Sequence, residues 1–207
     1  MGNGFFVKAV VGTCGVVWLG LLVFHGVVDP SRALWGPYSL VVSVAGGLTW
    51  AFDRWFWSWP GISLLVKRPD LRGTWRGEIA SNWIDPKTKS KLPPIPAFVC
   101  ITQTATALHI RQFTRESESI TLAATVVTEA DDAHAVAAVY RNEPKTSVRE
   151  RSEIHRGGMH LRVAGTDTLT GDYWTDRPTG GELTFERISR AKAKSFVEGE
   201  QLPLQRK

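Results

Sequence analysis

Apolar and polar positions along this chain change rhythm once. Residues 9–28 contain no Asp, Glu, Lys or Arg, and a second uncharged run covers 36–52. A helix rises 1.5 Å per residue, so the first run matches a bilayer core of ~30 Å. The second is shorter, about 25 Å of helix. Past Arg68-Pro69 the long apolar runs end and strand-like alternation begins. The pattern predicts a two-helix transmembrane hairpin over 1–66, an all-β domain over 67–190 and a polar C-terminal tail over 191–207.

Eight strands are predicted, over 73–81, 97–103, 107–114, 119–128, 133–140, 158–163, 168–175 and 181–188. Val, Ile, Thr and aromatic residues dominate them. Asp131-Asp132, Arg156-Gly157-Gly158, Gly165-Thr166-Asp167 and Pro178-Thr179-Gly180-Gly181 mark the turns. A short helical stretch is expected near 189–196. Short turns between consecutive strands favour an eight-stranded up-and-down barrel, since closure removes exposed sheet edges. A two-sheet sandwich is the competing arrangement. Eight strands enclose a space just wide enough for one small ligand. Gly73-Thr74-Trp75 is similar to the Gly-x-Trp opening of lipocalin-like barrels, in which the Trp can also plug the barrel end.

The segment 29–35 is short and turn-forming, so both chain ends fall on one side of the membrane. Arg32 in that segment is countered by Asp29, whereas Lys8, Arg54, Lys67, Arg68, Arg72 and Arg76 flank the other side. The positive-inside rule therefore places both termini and the β domain in the cytoplasm. A cleaved signal peptide is the alternative, but the apolar stretch is too long and a second span follows at once. Trp35 and Tyr38 at one end of span two, and Trp50, Trp55, Trp57 and Trp59 at the other, form an aromatic belt. Asp53 and Arg54 are expected at the interface, snorkelling or paired. Ser43, Gly46 and Gly47 make a small-residue groove of the kind that lets helices approach closely.

About 140 residues remain beyond the anchor, one ordinary domain. The formal charge of +5 is spread along the chain, unlike a nucleic-acid-binding tract. It suits a small anionic ligand, a membrane surface or simple solubility. Cys14 and Cys100 make no disulfide framework. His155 and His160 have no third ligand nearby in sequence and read as a surface or strand-facing pair. No nucleophile elbow, P-loop or dinucleotide fingerprint occurs. The chain is therefore not expected to be an enzyme or to carry a cofactor.

Binding chemistry is better represented. In Gly171-Asp172-Tyr173-Trp174-Thr175-Asp176-Arg177 the period of two puts Tyr173, Thr175 and Arg177 on one face. A ring, a hydroxyl and a guanidinium together can stack a base and bond a phosphate. Tyr140 and Asn142 share a face at the end of strand five. Arg111 lies between apolar neighbours in strand three, where an inward guanidinium would need an anion.

The chain resembles the two-transmembrane, β-barrel CD-NTase-associated effectors of bacterial CBASS anti-phage systems. The resemblance is carried by the hairpin followed by Pro69-Asp70-Leu71-Arg72-Gly73-Thr74-Trp75, Ile101-Thr102-Gln103-Thr104, Tyr140-Arg141-Asn142-Glu143-Pro144, His155-Arg156-Gly157-Gly158 and the Gly171–Arg177 stretch. It implies that a partner nucleotidyltransferase makes a cyclic dinucleotide, that the barrel binds it, and that the protein oligomerises. Disruption of the inner membrane lipid then ends the infected cell. Under this resemblance Tyr173, Tyr140 or Trp75 stacks bases, Arg177 and Arg111 meet phosphates, and Thr175 and Asn142 read sugar or base edges. The competing function is a membrane-tethered lipocalin-like carrier of a small apolar ligand, and a third is a purely structural anchor. Inward Arg and Tyr favour the nucleotide; an uncharged aliphatic interior favours the carrier.

Overall fold

The computed structural model describes residues 2–24, 38–86 and 88–203, which form two compact units. The first comprises Met1–Val66 with Thr104–Thr106. It holds α1 (Gly2–Phe24), α2 (Tyr38–Arg54) and α3 (Pro60–Val66). The two long helices follow the two apolar runs, and α1 packs against α2. The predicted turn at 29–35, with Trp35, lies outside the described residues. Among the described residues no helix is long and apolar enough to cross a membrane. Membrane crossing is thus a reading of the sequence's hydropathy, not of this fold. Trp50, Trp55 and Trp59 are exposed, but Trp57 is fully buried and departs from the expected belt. The Asp53 carboxylate accepts from the Thr106 amide and hydroxyl, at 2.9 and 2.8 Å.

The second unit is the barrel. Its strands are β1 (Gly73–Ser81), β2 (Ile95–Gln103), β3 (Leu108–Phe113), β4 (Ser117–Thr128), β5 (His134–Pro144), β6 (His155–Ala164), β7 (Thr168–Thr175) and β8 (Gly180–Ser189). Each pairs antiparallel with the next, and β1 pairs with β8 to close the sheet. That ladder rules out the sandwich. The eight expected strands are all present. However, β5 runs on to Pro144 and β6 begins at His155, both beyond their predicted ends and toward the same end of the barrel.

Alternation sorts side chains between the lumen and the outside. Trp75, Val99, Ile101, Ile110, Leu161, Leu169 and Phe185 belong to one buried cluster that begins at the end where β1 starts and continues along the lumen to Ile79, Met159 and Tyr140, with Tyr173 packed against it. Trp75 is fully buried, and its Nε1 donates to the Leu71 carbonyl at 3.0 Å. The Arg187 guanidinium sits 5.0 Å over the Trp75 ring and bonds Asp167 and the Asp70 carbonyl, at 2.8 and 2.7 Å. Gln103 ties residues 69–71 across this end, accepting from Leu71 N–H at 2.8 Å and donating to the Pro69 carbonyl at 2.9 Å. Gly73 adopts φ +126°, and a Cβ there would lie 2.3 Å from the Ser189 carbonyl oxygen. The Gly-x-Trp opening therefore builds a plug: the glycine permits a tight approach to β8 and the Trp fills the end.

On the outer wall, helix α4 (Phe196–Gln201) is capped by Ser195, whose hydroxyl accepts from Glu198 N–H. The expected helix thus starts later than the sequence predicts. Phe196 packs with Phe98, Cys100, Phe113 and Ile188. The Thr74 hydroxyl holds the intervening chain, donating to the Ala191 carbonyl at 2.7 Å and accepting from Ala193 N–H at 2.9 Å.

Trp75→Ala should destabilise the barrel by about 3–5 kcal/mol, the cost of removing a large aromatic from a packed core. Trp75→Phe, which forfeits one hydrogen bond, should cost about 1 kcal/mol. Urea denaturation measures both; a negligible loss for Trp75→Ala would mean that this end is open and not plugged.

Candidate functional site

At the opposite end of the barrel the wall is polar along β3–β7, while Ile79, Ile95 and Leu183 keep the β8–β1–β2 side apolar. There the odd-numbered strands finish and the even-numbered strands begin. Continuing the inward alternation from the apolar cluster places Gln112 of β3, Ser119 of β4, Tyr140 and Asn142 of β5, His155 of β6, and Tyr173 and Thr175 of β7 on the lumen side. Their register brings them together. Gln112 faces Ser119, Ser119 faces Asn142, and Asn142 faces His155. One level deeper, Thr121 faces Tyr140, Tyr140 faces Gly157, and Gly157 faces Thr175.

Two glycines shape the wall. A Cβ on Gly157 would meet the Tyr140 ring and hydroxyl at 2.5 Å, and one on Gly181 would meet Tyr173 Cε1 at 2.9 Å. Both phenol rings therefore lie against bare backbone. Burial pushes the Tyr140 hydroxyl pKa well above its ordinary range, and nearby Tyr173 and Asp176 add to this. It stays a neutral phenol, suited to stacking or hydrogen bonding.

Arg177 follows β7 at the rim. Its Nη2 contacts His155 Nδ1, while its buried Nε has no partner among the described residues. The Thr175 hydroxyl accepts from Arg177 N–H at 3.2 Å and lies 2.7 Å from the Thr179 hydroxyl. Thr175 thus works in the turn that presents Arg177, where the sequence suggested a sugar reader. His155 Nδ1 also lies 3.0 Å from the Glu153 carbonyl. Burial lowers the His155 pKa and Arg177 lowers it further, outweighing the Glu153 carbonyl and Asp176. With a neutral ring protonated on Nε2, Nδ1 accepts from Arg177 and forgoes a bond to the Glu153 carbonyl; a protonated ring would set two cations together. An anion at Arg177 would relieve both strains, giving Nε an acceptor and offsetting the positive charge.

Of the residues singled out from sequence, Tyr140, Asn142, Tyr173, Thr175 and Arg177 gather at this end. Two do not. Trp75 plugs the other end. Arg111 lies on the outer wall, contrary to the inward placement considered from sequence: its Nε donates to Glu118 at 2.8 Å and its guanidinium sits 5.1 Å over Phe113. Its lumen-facing neighbour is Gln112. Sequence reading missed Gln112, Ser119 and His155. Counting back by twos from buried Leu161 and Met159 finds His155, but only when β6 starts there. His160 takes the opposite face and lies 3.2 Å from Glu129.

A concavity lies on the outer face, lined by Arg76, Glu78, Pro96, Thr184, Glu186 and Ile188. It is open, and its two carboxylates oppose an anionic ligand. The rim at Arg177 is the better receptor for a phosphate.

Residues 66–187 match the family model described as Cap15, cyclic dinucleotide receptor domain. CD-NTase-associated protein 15 of Staphylococcus schleiferi is 23% identical over 176 residues, covering 83% of this chain and 92% of that relative.

The depressed His155 pKa fixes a pH dependence. A neutral ring is favoured in the folded state, so this contribution is complete above the ordinary histidine value of about 6.5 and is lost as pH falls below it. Urea midpoints should therefore fall below that pH in the wild type and fall less in His155→Gln. Equal slopes for the two proteins would contradict the assignment.

Proposed function

We propose that this chain, which belongs to the Cap15 cyclic dinucleotide receptor family, is a cyclic-dinucleotide-sensing effector of a CBASS anti-phage defence system. The observation that carries this reading is Arg177. Its buried Nε lacks an acceptor among the described residues, and two lumen-facing tyrosines and Asn142 lie at the same end. A cyclic dinucleotide brings what that set lacks: phosphates for the guanidinium, two base faces for the rings, and polar edges for the amide. The family model is described as a receptor domain, and binding alone is the chemistry this reading requires. An apolar cargo would leave Arg177 unanswered, which argues against the lipocalin-like carrier.

The output follows from the N-terminal apolar runs. They seat in the bacterial inner membrane as two spans, with the barrel and both termini cytoplasmic, as the distribution of Lys and Arg favours. Ligand binding drives homo-oligomerisation because the assembled state binds the ligand more tightly than the monomer. Ser43 and Gly47, exposed on α2 beside buried Ala45, supply helix contacts between copies. Assembled spans disrupt the membrane lipid, and the infected cell stops growing. The ligand comes from a partner nucleotidyltransferase.

Arg177→Ala should weaken cyclic-dinucleotide binding by about 10–100-fold, the range for losing a charge-assisted hydrogen bond. The thermal midpoint without ligand should not fall, because the variant also deletes a buried unsatisfied donor. Calorimetry on the full chain in detergent measures the first and a thermal melt the second. Wild-type affinity in the variant, or wild-type protein that binds a fatty acid and no cyclic dinucleotide, would overturn the reading.

A further inference from the structure

The polar row Gln112, Ser119, Asn142 has a fixed order of donors and acceptors. Gln112 faces Ser119 and Ser119 faces Asn142, on three successive strands. Ser119 Oγ donates to Asn142 Oδ1 at 2.9 Å, a bond buried from solvent. A serine hydroxyl has one hydrogen, so its remaining role toward a ligand is to accept. Asn142 has its oxygen engaged by Ser119 and keeps its two N–H donors for a ligand. Gln112 Oε1 is buried without a partner among the described residues. Across the wall the row therefore reads acceptor, acceptor, donor.

A buried carbonyl left unsatisfied carries a desolvation penalty that the fold does not offset. An orphan acceptor at the same end as the orphan Arg177 Nε indicates a ligand that supplies an N–H to one and an anionic oxygen to the other. Neighbouring strands stand ~4.8 Å apart at the backbone, and side chains on a concave wall converge toward the axis, as Ser119 and Asn142 do at 2.9 Å.

Resting on the cyclic-dinucleotide reading of this site, we infer that Gln112, Ser119 and Asn142 read the Watson–Crick edge of a guanine. Guanine presents, in order, an exocyclic amino donor, a ring N–H donor and a carbonyl acceptor, which answers the row at every position. Adenine sets its ring nitrogen, an acceptor, against the Ser119 oxygen in either direction. Uracil sets a carbonyl against Gln112 Oε1, the acceptor without a partner among the described residues, and leaves it unsatisfied. Cytosine matches the two ends and fails in the middle. Mismatched alternatives leave buried polar groups facing like groups, the condition under which sites discriminate most strongly.

The test is calorimetry on the full chain in detergent with cyclic di-GMP, cyclic di-AMP and cyclic di-UMP. The wild type should bind cyclic di-GMP at least ~10-fold more tightly than the other two, as expected from a multidentate base contact. Gln112→Leu should remove most of that preference, leave cyclic di-AMP affinity within about threefold, and raise the ligand-free thermal midpoint by deleting an unsatisfied acceptor. Ser119→Ala, which alters the middle of the row with little change in volume, should also narrow the preference and gives the answer if the leucine variant does not fold. Equal wild-type affinity for the three ligands, or a preference unchanged in both variants, overturns the base reading alone. Silence toward every cyclic dinucleotide overturns the receptor reading, and this inference with it.

Discussion

The ladder between β1 and β8 joins the first strand to the last and leaves the barrel with no free edge. Once the sheet is closed, alternate residues have only two destinations: a lumen that admits little water, or an outer wall that meets solvent or α4. Every lumen-facing side chain must then be apolar, be paired, or await a partner. The Trp75 end takes the first two solutions, with Arg187 bonded to Asp167 beneath an apolar fill. At the opposite end Arg177 Nε and Gln112 Oε1 are buried without a partner among the described residues.

Leaving those atoms unanswered costs about 1–3 kcal/mol each by general experience with buried polar groups. A sheet closed around a filled apolar core can carry such a cost locally. It also confines the consequences: the turn that holds Arg177 through Thr175 and the glycines beneath Tyr140 and Tyr173 are backbone features, set before any ligand arrives. On the proposed reading these features preform the site, which limits the ordering cost of binding. The His155–Arg177 contact is the least settled part, because a protonated ring there would repel the guanidinium.

Much of this was legible in the sequence. Strand count, antiparallel order and closure followed from alternation and short turns. Tyr140 and Asn142, and Tyr173 and Arg177, shared faces by parity alone. What failed was parity at strand ends. In β3 the apolar neighbours bracket both Arg111 and Gln112, and one residue of offset exchanges lumen for outer wall. The ladder with β2 puts Arg111 opposite outward Cys100 and Gln112 opposite inward Val99. In β6 the pair Gly157-Gly158 looked like a turn. It is strand, because Gly157 lies beneath Tyr140 and Gly158 beneath Trp174, and so His155 was left off the wall. Trp75 was visible in both of its roles, and only the packing of Leu71 and Arg187 around it selects the plug. The apolar runs gave two helices in place, while the crossing of a bilayer rests on hydropathy.

The most direct measurement is a crystal structure of the full chain with a bound cyclic dinucleotide. The predicted result is a phosphate oxygen within hydrogen-bond reach of Arg177 Nε and a base against Tyr140 or Tyr173. A ligand seated in the outer groove beside Arg76 and Glu186, or at the Trp75 end, would contradict a receptor site at the polar end of the barrel.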